Sequence, residues 1–245
     1  MAEKQVNSLT NRYLSGDCVV VWDEIYDLDY RTHQSDIDSV ALLTMQRVRR
    51  NMEKIVERLR EESFAFYSGD TALLDPPRDL DARLARIDER TQRLEVEGRR
   101  GQPLAPSVRA FYRTVGSVNL TGNSPGWPKR PIAKAAPHGT PGFLSDGLYV
   151  ATPEWLEEAI DEIPDGSAAL AFSPDIFHKE DYSGGPPYSW WMTSPSPDAF
   201  CTEVETAFVP YLRFSLSWGG FPGLRLYENA PLDWVRKLTE KLEPF

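Results

Sequence analysis

Residues 104–120 read Leu-Ala-Pro-Ser-Val-Arg-Ala-Phe-Tyr-Arg-Thr-Val-Gly-Ser-Val-Asn-Leu, and the chain changes character inside them. Pro106 suits a first helical turn, where its missing N–H costs nothing. Val108, Phe111, Tyr112 and Val115 then recur at the spacing of one helical face, which predicts a helix over 106–115. Gly116 ends it, and Val118–Leu120 predicts a strand. Helical signals dominate upstream of this junction and strand signals downstream, so the fold turns on it.

Upstream, residues 36–60 carry the strongest periodicity. Leu42, Met45, Val48, Met52, Ile55 and Leu59 form one apolar stripe. Arg47, Arg49, Arg50, Glu53, Lys54 and Glu57 fall on the other faces, which places that basic run on a solvated surface. Residues 15–28 predict an earlier helix, with Ser15 or Asp17 as cap and Val19, Trp22, Ile25 and Tyr26 as its face. Pro76-Pro77 breaks the chain. Asp79 then opens a helix with Leu80, Leu84, Ile87 and Leu94 as its stripe, running to Gly98.

Downstream, strands are expected at Leu148–Ala151, Ala168–Ser173, Tyr188–Thr193 and Phe200–Val204. A Pro-rich stretch at 125–141 is too broken for regular structure. Thr152-Pro153-Glu154 opens a helix bearing Trp155, Leu156, Ala159 and Ile160. Another helix should start near Thr206, with Pro210 in its first turn, and reach Trp218. The last begins at Pro231 and buries Leu232, Val235, Leu238 and Leu242. Grouped strands between helical ends predict an α+β fold, a mainly antiparallel central sheet flanked by helices with an added N-terminal helical region. The expected organisation is a single compact domain over 1–245, with a helical extension at 1–78 and an α+β core at 79–245.

Composition narrows the function classes. The formal net charge is −10, from 37 acidic against 27 basic residues, which argues against nucleic acid; it suits a basic protein partner or serves solubility alone. No apolar run reaches the ~20 residues a membrane helix needs, and the N-terminus lacks a signal-peptide core. A cytoplasmic location is expected. Cys18 and Cys201, far apart and among apolar neighbours, read as buried free thiols.

The catalytic motifs fail on mechanics. Gly122-Asn123-Ser124-Pro125-Gly126 has the letters of a nucleophile elbow. The elbow needs an N–H on the residue after the serine, and Pro125 has none; a tight turn after a strand is expected instead. His178-Lys179-Glu180 matches part of the zinc deaminase signature, but the paired cysteines are missing. Three histidines, His33, His138 and His178, none spaced i, i+4, support no zinc site. The pairs Asp27/Asp29, Asp36/Asp38 and Asp79/Asp81 read as helix caps rather than cation ligands. No metal, no cofactor and no catalytic residue are assigned.

One stretch stands out. Residues 172–191 read Phe-Ser-Pro-Asp-Ile-Phe-His-Lys-Glu-Asp-Tyr-Ser-Gly-Gly-Pro-Pro-Tyr-Ser-Trp-Trp. The pattern predicts two strands flanking a long loop, with His178, Asp181, Tyr182, Tyr188, Trp190 and Trp191 in this stretch. Such aromatics beside His and Asp could line a binding surface. The competing reading is that Trp and Tyr alternate between core and surface on a strand.

Leu104–Val118 resembles the opening of the SUKH superfamily, in which a proline-led helix with an aromatic pair runs into a glycine and a first strand. The later order is similar: Asp146–Val150 and a helix, strand 168–173, a hairpin, strand 188–193, then Phe208–Leu216 as a closing helix. Ser173–Tyr188 and Phe208–Gly223 further resemble an uncharacterised bacterial group. The resemblance covers roughly residues 80–225. It implies a non-enzymatic binding module, of the kind that in bacteria neutralises toxins as immunity proteins and in fungi regulates cell-wall synthesis. The expected function is therefore protein binding, with a basic toxin domain as partner and Trp127, Tyr182, Tyr188, Trp190 and Trp191 as contacts. The alternative is an unrecognised enzyme centred on His178 and Asp181.

Overall fold

A computed structural model describes residues 8–69, 71–129, 131, 132, 134, 143–182 and 184–245. The first helix, α1 (Leu9–Leu14), is capped twice. Ser8 accepts from the Asn11 N–H, and Asp36, from a later helix, accepts from the N–H groups of Leu9 and Thr10. That second cap explains one of the acidic pairs.

Helix α2 (Cys18–Tyr26) turns Cys18, Val21, Trp22 and Ile25 inward. Val19 and Val20 stay exposed, so the apolar face is rotated from the one expected. The anchor is Trp22, whose indole N–H donates to Thr44 Oγ1 at 2.9 Å. That threonine lies on α3 (Tyr30–Glu61), which starts six residues earlier than the stripe alone predicts and bends at His33. Met45, Val48, Met52, Ile55 and Leu59 are fully buried. Leu42 is not; it is 43% exposed, because Ala41 and Met45 fill the core at that level.

The extension is not purely helical. Strands β1 (Ala65–Phe66) and β2 (Leu73–Leu74) follow α3. Helix α4 (Leu80–Thr91) stops well short of Gly98. Instead β3 (Glu95–Val96) and β4 (Arg99–Arg100) form a hairpin. Glu97 (φ 52°) and Gly98 (φ 74°) both take positive φ, as a two-residue primed turn requires. Gly98 thus marks a hairpin turn rather than a helix end.

The junction forms as expected. Helix α5 (Pro106–Thr114) buries Val108, Phe111 and Tyr112, with Val115 just beyond its end. It leads into β5 (Ser117–Asn119), and β6 (Gly122–Asn123) ends in a turn in which Ser124 Oγ accepts from the Gly126 N–H. The 125–141 stretch lies largely outside the described residues, as does His138. Next come β7 (Tyr149–Val150) and α6 (Pro153–Asp161), capped by Thr152 through the Trp155 N–H. Then follow β8 (Ala169–Ser173), β9 (Tyr188–Trp191), β10 (Phe200–Cys201) and β11 (Thr206–Ala207). Helices α7 (Phe208–Ser217) and α8 (Leu232–Thr239) close the chain. On α8 it is Trp234 that joins Val235 and Leu238 in the core, while Leu232 is 49% exposed.

The fold is α+β, and every pairing among the described strands is antiparallel. The order β2-β5-β7 makes one sheet and β11-β10-β9-β8 another. They meet where the Ala151 N–H donates to the Phe172 carbonyl at 2.8 Å. In place of one central sheet, two sheets abut at their edges. One hydrophobic cluster runs from Leu9 to Phe245, so residues 1–78 and 79–245 share a core. Helix α3 packs on α5 and α8 to join them. Cys18 and Cys201 are buried and unbridged. Among the described residues no helix is long and apolar enough to cross a membrane.

Candidate functional site

The loop between β8 and β9 is organised by one buried carboxylate. Asp175 accepts from the N–H groups of Phe177 (2.7 Å) and His178 (3.2 Å), and its second oxygen meets His178 Nδ1. Burial works against the charged Asp175. The bonds from His178 and the two amides outweigh it and hold its pKa below the ordinary value. A 3-10 turn over His178–Glu180 follows, closed by Asp181 in the left-handed region (φ 62°). His178 therefore partners Asp175 and not Asp181, and its ring faces outward, with 53% of the side chain exposed.

The turn sends His178 outward and the next two residues inward. Lys179, next to the outward His178, is fully buried, and its Nζ lies 2.7 Å from Asp146 Oδ1. The same ammonium sits 4.4 Å from the Tyr188 ring centroid, and the Tyr188 hydroxyl donates to Asp146 Oδ2 at 3.1 Å. The ammonium, the carboxylate and the hydroxyl each have a partner within the triad, as burying an ion pair requires. Glu180 also turns in, accepting from the Ser145 N–H (3.2 Å) and hydroxyl (2.6 Å). Burial pushes the Glu180 carboxyl above its ordinary pKa, against the lowering effect of those bonds. Segment 145–146 thus fastens the loop from below, with Asp146 itself in the left-handed region (φ 52°).

The expected site residues divide into three groups. His178, Asp181 and Tyr182 are exposed on the loop. Tyr188 is buried but walls a cleft. Trp190 is fully buried, stacked on Phe172 with centroids 4.4 Å apart and planes 10° from parallel. Trp127 is half-buried among Phe64, Phe143, Phe221 and Trp234, all with centroids within 6.0 Å. Trp190 is therefore a packing residue, while Trp127 packs in an aromatic cluster and, like Trp191, keeps partial access to solvent. Strand alternation accounts for it: Trp190 takes the inward position and Trp191 the outward.

A cleft of about 550 Å³ opens beside the triad, lined by Asp146, Tyr188, Tyr211, Phe214, Glu203, Glu205 and Arg225. Glu203 and Glu205 come from the β10–β11 turn. Glu203 Oε2 is oriented by the Ser189 N–H at 2.8 Å. Among the described residues neither glutamate forms a salt bridge. The Arg225 guanidinium lies over Phe214, 5.4 Å from its centroid. The cleft thus sets two carboxylates and one guanidinium against an aromatic wall, whose Tyr188 and Phe214 rings already carry cations from this chain. A larger cleft of about 750 Å³ lies where α3 begins, near Tyr30, Arg109 and Ser196; its Arg109 and Arg113 are already paired with Asp88 and Asp81.

Sequence reasoning missed Asp146, Lys179, Glu180, Glu203 and Glu205. The Lys179–Asp146 partners are 33 residues apart, and no local spacing announces them. Among the described residues no group of His, Cys, Asp and Glu is arranged to hold a metal ion. No family model, no curated protein and no solved structure matches the chain.

Proposed function

We propose that this protein is a non-catalytic binding module for a basic protein, and that the cleft at Glu203, Glu205, Tyr188 and Phe214 is where the partner's cations sit. The supporting observation is the charge balance of the cleft. Lys179 and Asp146 neutralise one another in the interior, which leaves the two glutamates against the one guanidinium of Arg225, a negative balance on a chain of net charge −10. Carboxylates at a cleft mouth receive Lys and Arg side chains through Coulomb attraction. The role as an immunity protein that neutralises a bacterial toxin domain in the cytoplasm fits that chemistry and the SUKH resemblance.

The test is capture of a partner from the native cell at low salt, wild type beside Glu203→Lys/Glu205→Lys. A stoichiometric basic protein held by the wild type, released by salt and lost by the variant, is the expected result. Identical elutions from the two would overturn the assignment of the cleft.

One observation favours a second reading. The His178–Asp175 pair holds an imidazole with Nδ1 engaged and its other nitrogen toward solvent, an arrangement that suits a general base. An enzyme built on it would lose its activity in His178→Ala with unchanged stability.

A further inference from the structure

We propose that the face of α3 carrying Arg47, Arg50, Asn51 and Lys54 is a peptide-binding groove, selective for an extended Glu-Pro-aromatic segment. The chain's own Glu243-Pro244-Phe245 occupies it in cis. This inference stands apart from the cleft described above, and it gives the basic run of α3 a purpose other than solvation.

The recognition is built residue by residue. Asn51 is fully buried, and its amide pairs reciprocally with one residue of backbone: Nδ2 donates to the Glu243 carbonyl at 2.8 Å, and the Glu243 N–H donates to Oδ1 at 2.7 Å. That pairing reads an extended strand without regard to its side chain. Side-chain choice comes from Arg50, whose guanidinium forks onto the Glu243 carboxylate (Nη2 2.6 Å, Nε 2.9 Å), with Lys54 behind it at 3.5 Å. A fork of this geometry selects a carboxylate.

At the next position only the carbonyl is used. Arg47 Nη1 donates to the Pro244 oxygen at 2.9 Å, while its guanidinium rests over the Tyr13 ring at 4.6 Å. A proline loses nothing there, since no N–H is asked for, and its fixed φ pre-shapes the strand. Phe245 then buries its ring, 6% exposed, and its backbone oxygen accepts from Arg213 of α7.

None of these contacts needs the segment to be joined to α8. The connection is in fact unfavourable locally: Lys241 adopts φ 53°, a region that side-chain-bearing residues avoid. The segment stays seated because a tether this short supplies an effective concentration in the millimolar range. A partner that carries an acidic-Pro-aromatic stretch has to displace it.

The test titrates fluorescent Lys-Leu-Glu-Pro-Phe into full-length protein. Glu243→Lys sets a cation against Arg50 and Lys54 and opens the groove, so this variant should bind the peptide at least about tenfold more tightly than wild type. Arg50→Glu repels its own Glu243 and should reverse the preference, refusing that peptide and accepting Lys-Leu-Lys-Pro-Phe. Absence of binding to Glu243→Lys up to about 1 mM peptide, the tether's own range, would overturn the proposal. So would an Arg50→Glu variant with unreversed preference. Should either variant unfold, its matching peptide must restore the near-ultraviolet circular dichroism; failure to do so overturns the groove as well.

Discussion

The basic face of α3 and the β8–β9 loop both present runs of charge in the sequence, yet they spend that charge differently. Arg47, Arg49 and Lys54 keep partial access to solvent while tying other segments to the helix: Arg49 reaches the Val115 carbonyl and Asp75, and Arg50 reaches Glu243. Lys179 has no access at all and is locked between Asp146 and Tyr188. The lesson is one of dielectric. A half-exposed pair exchanges freely with water and salt and so can be traded for another partner, whereas a buried pair is fixed once folding has removed both groups from water.

The largest expected break in this comparison is Lys179→Met. It strands Asp146 in the interior and should cost about 3–5 kcal/mol of unfolding free energy. Adding Asp146→Asn should recover much of that loss in the same urea titration. If Lys179→Met cost under about 1 kcal/mol, the value of an exposed pair, the contrast between the regions would collapse.

Asp198 sharpens the contrast, since it is a buried acid without a salt-bridge cation. It is 1% exposed, and one oxygen accepts from the Val209 N–H, at the start of α7, and from the Tyr26 hydroxyl. Burial pushes its pKa up to about 6. A raised acid pKa means that the folded state binds the proton more tightly than the unfolded chain. Stability supplied by this group is therefore present at low pH and lost as pH rises from about 4 to about 6, a change on the order of 3 kcal/mol. Asp198→Asn keeps an acceptor for both donors and removes the charge. Thermal melts across that window should lose this decline, and the variant should melt above wild type at pH 7. A variant whose profile still falls there would assign the titration to another group.

The smallest effect belongs to α3. Arg50→Ala should lower stability by about 0.5–1 kcal/mol, an effect that shrinks in 1 M salt where screening is nearly complete. A loss several times larger, insensitive to salt, would place Arg50 in the same class as Lys179.

The regular elements were legible where one local pattern decided them. The stripes of α3 and α5, the Thr152-Pro153 opening of α6 and Pro210 in the first turn of α7 all form as their spacing requires. The failures arose where local pattern and tertiary demand diverge. Gly98 reads as a helix stop but serves a primed turn, and α1 is too short to show periodicity, being capped by Asp36 from 26–27 residues away. Leu42 and Leu232 fit apolar stripes that the packing around them does not cover. At the site, the loop was legible as a loop and its strands as strands. Which aromatics faced out was not, because Trp190 and Trp191 differ only in strand parity. The Lys179–Asp146 pair was beyond reach, since it depends on the folding of β8–β9 over segment 145–146.

The bond from Ala151 to Phe172 has a mechanical consequence. Among the described residues it is the one backbone bond between the two sheets, whose own strands are laddered together. The strand layer is therefore two panels joined at a seam, strapped by α6, which connects β7 to β8. Within the strand layer, the seam between β7 and β8 therefore has a single backbone bond to break, where the panels themselves are held by ladders.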